Sequence, residues 1–573
     1  MVEVKHFPAD MSVFEVDRED MKKCFLSGLF EEKVKTESGE RCFYTYLAPG
    51  SLYNSPCLVV APPAVPDVLA WLDQSFWFSF AEEHKLFLHV LVPGEGGWNE
   101  DGSDADYMNK VYSAIQSRRG YVTIQDNIYA LGLGGGAVIA QQAVMKMSSE
   151  WSGLASCGEM SDKALLNAEI LAGAENTGKT ELSINAAKVQ VPVWMAWEKN
   201  ENMNAAVCAY WKKQNDACEE CFSNEFADQI WFPSTVSKMS QVNEEKISQV
   251  RVTNGRHGEP DRVFADALWA FLGKACRHRG FGHKMLRNKI DPEAYGFALK
   301  TMEHQGFVRR WYEYVPEAVK KSGRAVPLVV CMHGRGGSAE TFLSLSGMSR
   351  VAEERNFIAL FPESGVYQIR PGALRNLLLW NGEYKGEKFD DVGFILRMIE
   401  DVKARYAVDE TRVYACGQSS GGMMTSALAE RAPEVFAAVS PWSALVDPDH
   451  ELVLPERMNP AVPFMFLFGD RDWLVADREN GEMEYKVTKP IAAYLRNLIS
   501  LYGLNGKPSQ YVCGEISWYV YKNAAGVPIL TVGRVAGMTH ANYPRESWIA
   551  YDEFMARFSK LKDGTLLYMG EKV

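Results

Sequence analysis

Ser419 lies in the sequence Gly-Gln-Ser-Ser-Gly at residues 417–421, between a strand-forming run and a helix-forming run. A serine between glycines at a strand-to-helix turn is typical of a nucleophile elbow, in which the hydroxyl is held out on a strained turn. Gly417 and Gly421 have no side chain to block the close passage of strand and helix. The sequence therefore predicts that Ser419 is a nucleophile, and a plain glycine-rich loop is the alternative.

A second glycine-rich motif, His333-Gly-Arg-Gly-Gly337, follows an apolar run at 327–332 that predicts a buried strand. Acyl transfer needs two backbone N–H donors aimed at the developing oxyanion. One donor belongs to the residue after the nucleophile, here Ser420, and the other to a loop after an upstream strand. We expect Arg335 to be the second donor through its backbone N–H. The alternative is a flexible turn.

A nucleophilic serine also needs a histidine base and an acid. In proteins with this kind of elbow, the acid and then the histidine follow the serine along the chain. Only His450 and His540 lie after Ser419, and His450 precedes any strand that could carry the acid. His540 is therefore the predicted base. Asp472 follows the predicted strand 463–468 and is the predicted acid, with Asp470 and Asp477 as rivals. An exposed acidic loop is the alternative for the Asp470 and Asp472 pair.

Together these motifs resemble the polyhydroxybutyrate depolymerase and feruloyl esterase group of α/β-hydrolases, the relatives of carbohydrate esterase family one. The resemblance covers residues 310–560 and includes Trp380-Asn381 and the segment 390–394. It implies a serine carboxylic-ester hydrolase that needs no metal or cofactor. Its catalytic residues would be Ser419, Asp472 and His540, with oxyanion donors at Arg335 and Ser420.

The resemblance favours feruloyl or acetyl esters of plant-type carbohydrates as substrates, with hydroxyalkanoate or other polyester oligomers next. A serine peptidase, an acyltransferase and a non-catalytic binding protein are the alternatives. Trp380, Trp442 and Trp473 are candidates to line an aromatic pocket, although such residues more often belong to a core. Residues 443–461 are either a lid over the pocket or a surface loop.

The first half of the chain resembles a second copy of this pattern. Residues 126–136 align with 411–421, and Gly134 then occupies the position of Ser419. A proline-rich run at 62–66 replaces the oxyanion loop, and proline has no N–H to donate. Glu201 lies near the position of Asp472, and His257 near that of His540. We expect this copy to be non-hydrolytic.

The expected fold class is α/β, with two tandem α/β-hydrolase domains that are each a mostly parallel sheet flanked by helices. A chain of 573 residues is too long for one ordinary core. The predicted parts are a leader at 1–30 with one amphipathic helix, a degenerate copy at 31–278 and a catalytic copy at 285–573. A similar helix is expected at 291–297, and the basic stretch 277–284 is the predicted exposed linker.

A nucleotide site is the rival explanation for the glycines of the first half. Residues 132–137 also fit the G-x-G-x-x-A fingerprint, and Glu150 follows at the spacing of a ribose-binding acid. The fingerprint normally lies on the first strand–helix turn of its domain, which this segment does not. The alignment with residues 411–421 also explains the flanking residues, so we prefer it.

Composition limits the other possibilities. A formal net charge of −12 and the lack of a Lys/Arg cluster argue against a nucleic-acid partner. The eleven cysteines are scattered without metal-binding spacing, which is typical of reduced core residues. No signal peptide or membrane-spanning run is visible, so we expect a cytoplasmic protein, with secretion after removal of a leader as the alternative. A small-molecule or oligomeric ester is the expected partner, and a homo-oligomer is possible.

Overall fold

The computed structural model describes residues 3–7, 16–116, 127–168, 171–176, 181–185, 189–198, 201–236, 246–256, 258–279, 284–368, 376–381, 389–444, 461–472 and 489–573. Two ten-stranded sheets dominate it. One is built from strands between residues 4 and 254, and the other from strands between residues 297 and 535.

The first half contains strands and helices in alternation. The strands are β1 Val4–Lys5, β2 Gly28–Thr36, β3 Gly39–Leu47, β4 Cys57–Ala61, β5 Phe87–Leu91, β6 Ile128–Leu133, β7 Gly153–Cys157, β8 Leu171–Asn176, β9 Glu181–Asn185, β10 Val193–Trp197, β11 Gln229–Trp231, β12 Val250–Asn254, β13 Ala275–Arg279 and β14 Lys284–Asn288. The helices are α1 Val68–Gln74, α2 Trp77–His84, α3 Ser103–Ile115, α4 Gly136–Lys146, α5 Glu201–Gln214 and α6 Arg262–Leu272.

The second half repeats this alternation. Its strands are β15 Phe297–His304, β16 Phe307–Tyr314, β17 Val326–Met332, β18 Ile358–Pro362, β19 Gly365–Gln368, β20 Asn376–Leu379, β21 Val408–Gln418, β22 Ala438–Trp442, β23 Phe464–Gly469, β24 Ser509–Cys513, β25 Ile516–Lys522, β26 Pro528–Val535, β27 Phe558–Lys560, β28 Leu566–Tyr568 and β29 Glu571–Lys572. Its helices are α7 Glu317–Ser322, α8 Ala339–Ser346, α9 Met348–Arg355, α10 Asp391–Arg405, α11 Ser420–Arg431, α12 Lys489–Leu501 and α13 Glu546–Trp548.

Nine consecutive strands follow the same order in the two large sheets, and β1 and β24 have no counterpart among the described strands. The first runs β1-β2-β3-β5-β4-β6-β7-β10-β12-β11, and the second runs β15-β16-β18-β17-β21-β22-β23-β26-β25-β24. In each, an antiparallel pair is followed by a strand that lies out of chain order, β5 or β18. The central strands of both sheets are parallel. Mixed, mostly parallel sheets flanked by helices confirm the expected α/β-hydrolase fold.

The strands at the centre of the second sheet are apolar runs because helices cover both of its faces. Every residue of β17 is buried, as is the second half of β21. Helix α10 begins after Asp390, whose side chain accepts a hydrogen bond from Gly393 N at 2.8 Å. Its buried stripe includes Val392 and Ile395 at the helical spacing that the sequence predicts.

Matching contacts recur in the two halves. A tryptophan indole donates to the backbone directly after β4 or β17, from Trp98 to Pro62 O and from Trp380 to His333 O, both at 2.8 Å. The next residue's N–H donates to an aspartate, and that aspartate pairs with an arginine. These contacts join Asn99, Asp104 and Arg41 in the first half, and Asn381, Asp391 and Arg309 in the second. The shared details support the predicted internal repeat.

Two local predictions are corrected, and the leader helix stays a prediction. Residues 3–7 and 16–27 contain no helix among the described leader residues, and residues 8–15 lie outside that description. Residues 292–296 form turns that lead into β15, because Pro292 and Gly296 interrupt the short pattern. Residues 277–279 and 284 of the predicted exposed linker lie instead in the antiparallel pair β13–β14, and residues 280–283 lie outside the described residues. Arg277 is buried there and donates to three backbone carbonyls.

Two further structural findings concern the cysteines and the length of apolar helices. All eleven cysteines are free, and Cys57, Cys331 and Cys416 are buried in strands as the sequence predicts. No helix of the described chain is both long and apolar enough to cross a bilayer.

Candidate active site

Ser419 lies between the end of β21 and the start of α11. Its backbone has φ 56° and ψ −117°, a conformation that L side chains rarely adopt. A Cβ on Gly421 would lie 2.2 Å from Met332 O, and one on Gly417 would lie 2.6 Å from the Gly421 backbone. Strand and helix therefore pass too closely for any residue but glycine at these two positions.

A chain of hydrogen bonds joins the three residues that the sequence predicts to be catalytic. His540 Nε2 lies 2.9 Å from Ser419 Oγ. On the other side of the ring, His540 Nδ1 lies 2.9 Å and 3.0 Å from the two carboxylate oxygens of Asp472. Asp472 is fully buried. This geometry lets the carboxylate hold Nδ1–H in place and positions Nε2 to accept the serine proton.

The neighbouring acid, Asp470, has a different set of contacts. Its Oδ1 accepts from Gly537 N at 2.8 Å, at the start of the loop that carries His540. Burial raises the pKa of Asp470. Asp470 therefore anchors the histidine loop, whereas Asp472 contacts the imidazole itself. The other rival acid, Asp477, lies outside the described residues.

The predicted oxyanion loop forms a tight turn beside the nucleophile. Gly337 N donates to Gly334 O at 3.0 Å, and a Cβ on Gly334 would lie 3.4 Å from Ser419 Cβ. Arg335 is exposed at the tip of this turn. Ser420 is the first residue of α11, where backbone N–H groups have no partner within the helix. The donor roles of Arg335 and Ser420 stay predictions.

His333 stabilises this turn through hydrogen bonds at both of its ring nitrogens. Its Nδ1 lies 2.8 Å from Gly334 O, and its Nε2 accepts a hydrogen bond from Ser364 N at 3.2 Å. Burial lowers the pKa of His333 to about 4, so the ring is neutral at pH 7 and its proton is on Nδ1. His333 therefore donates to Gly334 O and fixes the start of the oxyanion loop.

The first half of the chain also reaches this loop. Asn54 Nδ2 donates to Gly336 O across 282 positions in the sequence. Lys22, which is buried, pairs with Glu340 at 2.7 Å and with Glu363 at 3.3 Å. Glu363 in turn accepts from Ala339 N at 3.2 Å, just after the loop. Sequence analysis missed both residues because neither Lys22 nor Asn54 belongs to a local motif.

The tryptophans predicted to line a pocket are placed differently from one another. Trp380 is 5% exposed and its indole donates to His333 O at 2.8 Å. Trp442 is fully buried, and its indole donates to Ser440 Oγ at 2.9 Å. Both therefore pack inside the fold, and a contact with substrate stays a prediction. Trp473 lies outside the described residues, as do residues 445–460 of the possible lid.

The matching position of the first half lacks the nucleophile. Gly134 has φ 53°, and its N–H donates to Cys157 O at 2.8 Å. Ser419 has the same sign of φ, and its N–H donates to Trp442 O at 2.9 Å. The two residues thus lie at equivalent turns, and Pro63 is the closest neighbour to a Cβ on Gly134. His257 lies outside the described residues, and Glu201 begins α5.

The rival nucleotide site and a metal site find no support in the described parts of the chain. Glu150, the candidate ribose-binding acid, is engaged by Lys284 Nζ and by Tyr112 Oη. Among the residues that the structure describes, no three His, Cys, Asp or Glu side chains are grouped as metal ligands.

The match to a known protein family lies in the second half. Residues 311–453 match the family described as Esterase PHB depolymerase. Feruloyl esterase B of Neurospora crassa is 33% identical over 141 residues, which are 24% of this chain and 44% of that protein. A probable acetylxylan esterase A of Neosartorya fischeri is 30% identical over 135 residues, 23% of this chain and 34% of that protein.

Among solved structures, an acetyl xylan esterase from Aspergillus awamori aligns with 45% of this chain and 99% of its own, with 15% identity and a TM-score of 0.34. The chain spans less than half the length of the two curated relatives named above. The resemblance to the polyhydroxybutyrate depolymerase and feruloyl esterase group is confirmed by the family match at 311–453 and by the similarity to feruloyl esterase B. That segment contains the oxyanion loop and Ser419 but ends before Asp472 and His540.

Proposed function

We propose that the second half of the chain is a serine carboxylic-ester hydrolase. The observation that carries the proposal is the hydrogen-bonded series Ser419–His540–Asp472, with the serine on a strained turn. The proposal is also supported by the family match at residues 311–453 and by the similarity to feruloyl esterase B. Three groups in this order are what an acyl-enzyme mechanism needs.

In the proposed reaction, His540 Nε2 takes the Ser419 proton as Oγ attacks the ester carbonyl. Asp472 stabilises the imidazolium that forms. The backbone N–H groups of Arg335 and Ser420 hold the oxyanion. His540 then passes the proton to the leaving alcohol, and the acyl group stays on Ser419. A water molecule, deprotonated by His540, attacks the acyl-enzyme and releases the acid.

The proposed substrates are feruloyl or acetyl esters of carbohydrates. The support is that the named relatives are feruloyl and acetylxylan esterases. Hydroxyalkanoate oligomers are the second candidate because the matching family is described as PHB depolymerase. Parallel assays with methyl ferulate, an acetylated xylan oligomer and a hydroxybutyrate trimer distinguish these substrates by their kcat/KM values.

We propose that the first half is an inactive copy that supports the second, and that the parts meet near residues 278–285. Gly134 at the nucleophile position and the prolines at 62–66 leave this copy without two requirements of acyl transfer. The contacts of Lys22 and Asn54 with the oxyanion loop and its flanks provide a structural role for it.

A fluorophosphonate probe tests the enzyme proposal directly because it labels an activated serine. We expect one labelled peptide, containing Ser419, and no label in Ser419→Ala. Ser420→Ala is the matched control, since its backbone N–H is kept and labelling should continue. An unlabelled parent protein, or hydrolysis of p-nitrophenyl acetate by Ser419→Ala at the parent rate, would contradict the proposal.

A further inference from the structure

A cavity of about 230 Å³ lies where the two halves meet. Residues of both halves line it, and five of them carry basic side chains, namely Lys22, His84, Lys85, Arg287 and Lys289. Glu340 is the only carboxylate among the described lining residues. The volume is several times the roughly 30 Å³ that one water molecule occupies in the liquid. The cavity therefore has room for a small solute as well as an excess of positive charge.

Two of the basic residues already have an acidic partner. Lys22 pairs with Glu340 at 2.7 Å, and Tyr312 Oη also donates to Glu340, at 3.1 Å. His84 Nε2 lies 2.8 Å from Asp266. These pairs neutralise the only carboxylate of the lining and leave Arg287, Lys289 and Lys85 as the source of the excess charge.

Arg287 is the most unusual of the remaining three. It is 2% exposed, and among the described residues its guanidinium makes one hydrogen bond, a long one of 3.4 Å to Thr341 O. Its Nε has no hydrogen-bond partner among the described residues. A guanidinium has five N–H donors, and burying a charge without partners costs free energy. An acceptor in the cavity would remove that cost.

Lys289 adds a second charge beside the first. Burial lowers the pKa of Lys289, and the positive charge of Arg287 lowers it further. No carboxylate of the described chain lies within ion-pair distance of either side chain. Lys85 Nζ, at the exposed edge, makes one hydrogen bond to the described residues, to Pro49 O at 3.4 Å. The cavity thus holds neighbouring cations that lack an anion.

We propose that this cavity binds a small anion with several acceptor oxygens, either phosphate or a short polycarboxylate, held between Arg287 and Lys289. Ser55, from the first half, adds a neutral donor because its Oγ accepts from Leu52 N at 3.0 Å and its own hydrogen remains available. Thr341, which also lines the cavity, belongs to α8, which follows the oxyanion loop. The bound anion therefore joins the two halves. This site does not depend on the proposed ester hydrolysis.

The test measures binding to the full-length protein by titration calorimetry and by thermal unfolding in HEPES buffer at constant ionic strength. Inorganic phosphate and citrate are the two probes, and sodium chloride is the reference. We expect one of the two probes to bind saturably and to raise Tm, since a ligand that binds only the folded state stabilises it. The probe with the lower Kd identifies the anion as phosphate-like or carboxylate-like.

Lys289→Gln is the decisive variant. A charge-assisted hydrogen bond contributes about 1.5–3 kcal/mol, so we expect Kd to rise about 10- to 100-fold. Lys274→Gln is the matched control, because Lys274 is exposed and its carbonyl pairs with Lys289 N on the same hairpin. Without anion, Lys289→Gln should be as stable as the parent or more so, because a repulsion is removed.

Lys85→Gln is the second variant and keeps the test decisive if Lys289→Gln fails to fold. Because Lys85 is exposed, its charge contributes less to anion binding, and its loss should raise Kd only a few-fold. Three results would overturn the proposal. These are the absence of saturable binding by both probes, an equal loss of affinity in Lys274→Gln, and an unchanged Kd in both cavity variants.

Discussion

The hydrogen bond between Asn54 and the oxyanion loop leads us to expect a lower kcat when Asn54 is replaced. Asn54 Nδ2 donates to Gly336 O, next to the peptide that closes the turn between Gly334 and Gly337. Asn54 has φ 67°, so Asn54→Gly removes the side chain without straining the backbone. The variant therefore removes the hydrogen bond without adding backbone strain.

The expected size follows from the kind of interaction. A neutral hydrogen bond contributes about 0.5–1.5 kcal/mol, which corresponds to about 2- to 13-fold in rate if all of it supports the transition state. Loss of an oxyanion donor itself costs about 10²–10³-fold. We expect kcat on p-nitrophenyl acetate to fall about fivefold and KM to stay nearly constant, because the oxyanion forms only during reaction.

The control is Asn356→Gly, which removes another asparagine with positive φ at an exposed helix end. Both variants increase the flexibility of the unfolded chain to a similar extent. Steady-state kinetics and melting curves are measured for both. If Asn54→Gly keeps the parent kcat, or if both variants lose activity equally, Asn54 does not position the oxyanion loop.

Three further predictions concern the acid, the buried carboxyl and the role of the first half. Asp472→Asn should lower kcat on the order of 10⁴-fold while Asp470→Asn lowers it far less, and the reverse ranking in ester kinetics would move the acid to Asp470. Burial raises the pKa of Glu363 to about 7 from its usual 4.5, so its contribution to stability is complete below about pH 4.5 and is lost as pH rises through about 7. The difference in urea-unfolding free energy between the parent and Glu363→Gln should therefore shrink across that interval, and a constant difference would contradict this. Residues 285–573 expressed alone should melt at a lower temperature and hydrolyse more slowly than the whole chain, because Lys22 and Asn54 are missing. A fragment with unchanged Tm and kcat/KM would show that the first half is dispensable.

The local motifs were predictable because contiguous residues encode them. A nucleophile elbow needs glycines at fixed positions around the serine, and the structure has both glycines where a Cβ would clash. The internal repeat is predicted from contiguous residues in the same way, and Gly134 and Ser419 both have positive φ at their turns. The basic stretch at 277–284 was misjudged because composition indicates solvent exposure, whereas Arg277 finds its partners on distant backbone carbonyls.

The sequence by itself determined the chemical types at the candidate site, namely a serine on an elbow, one eligible histidine and a short set of acids after a strand. Only the tertiary structure decided which acid meets His540, because Asp470 and Asp472 follow the same strand and differ in the direction that the turn gives each side chain. It also decided that Asn54 contacts the oxyanion loop and that Lys22 contacts carboxylates beside it. Such contacts depend on how two sheets of a 573-residue chain pack together, and side chains that meet across 282 positions leave no periodic or local signal in the sequence.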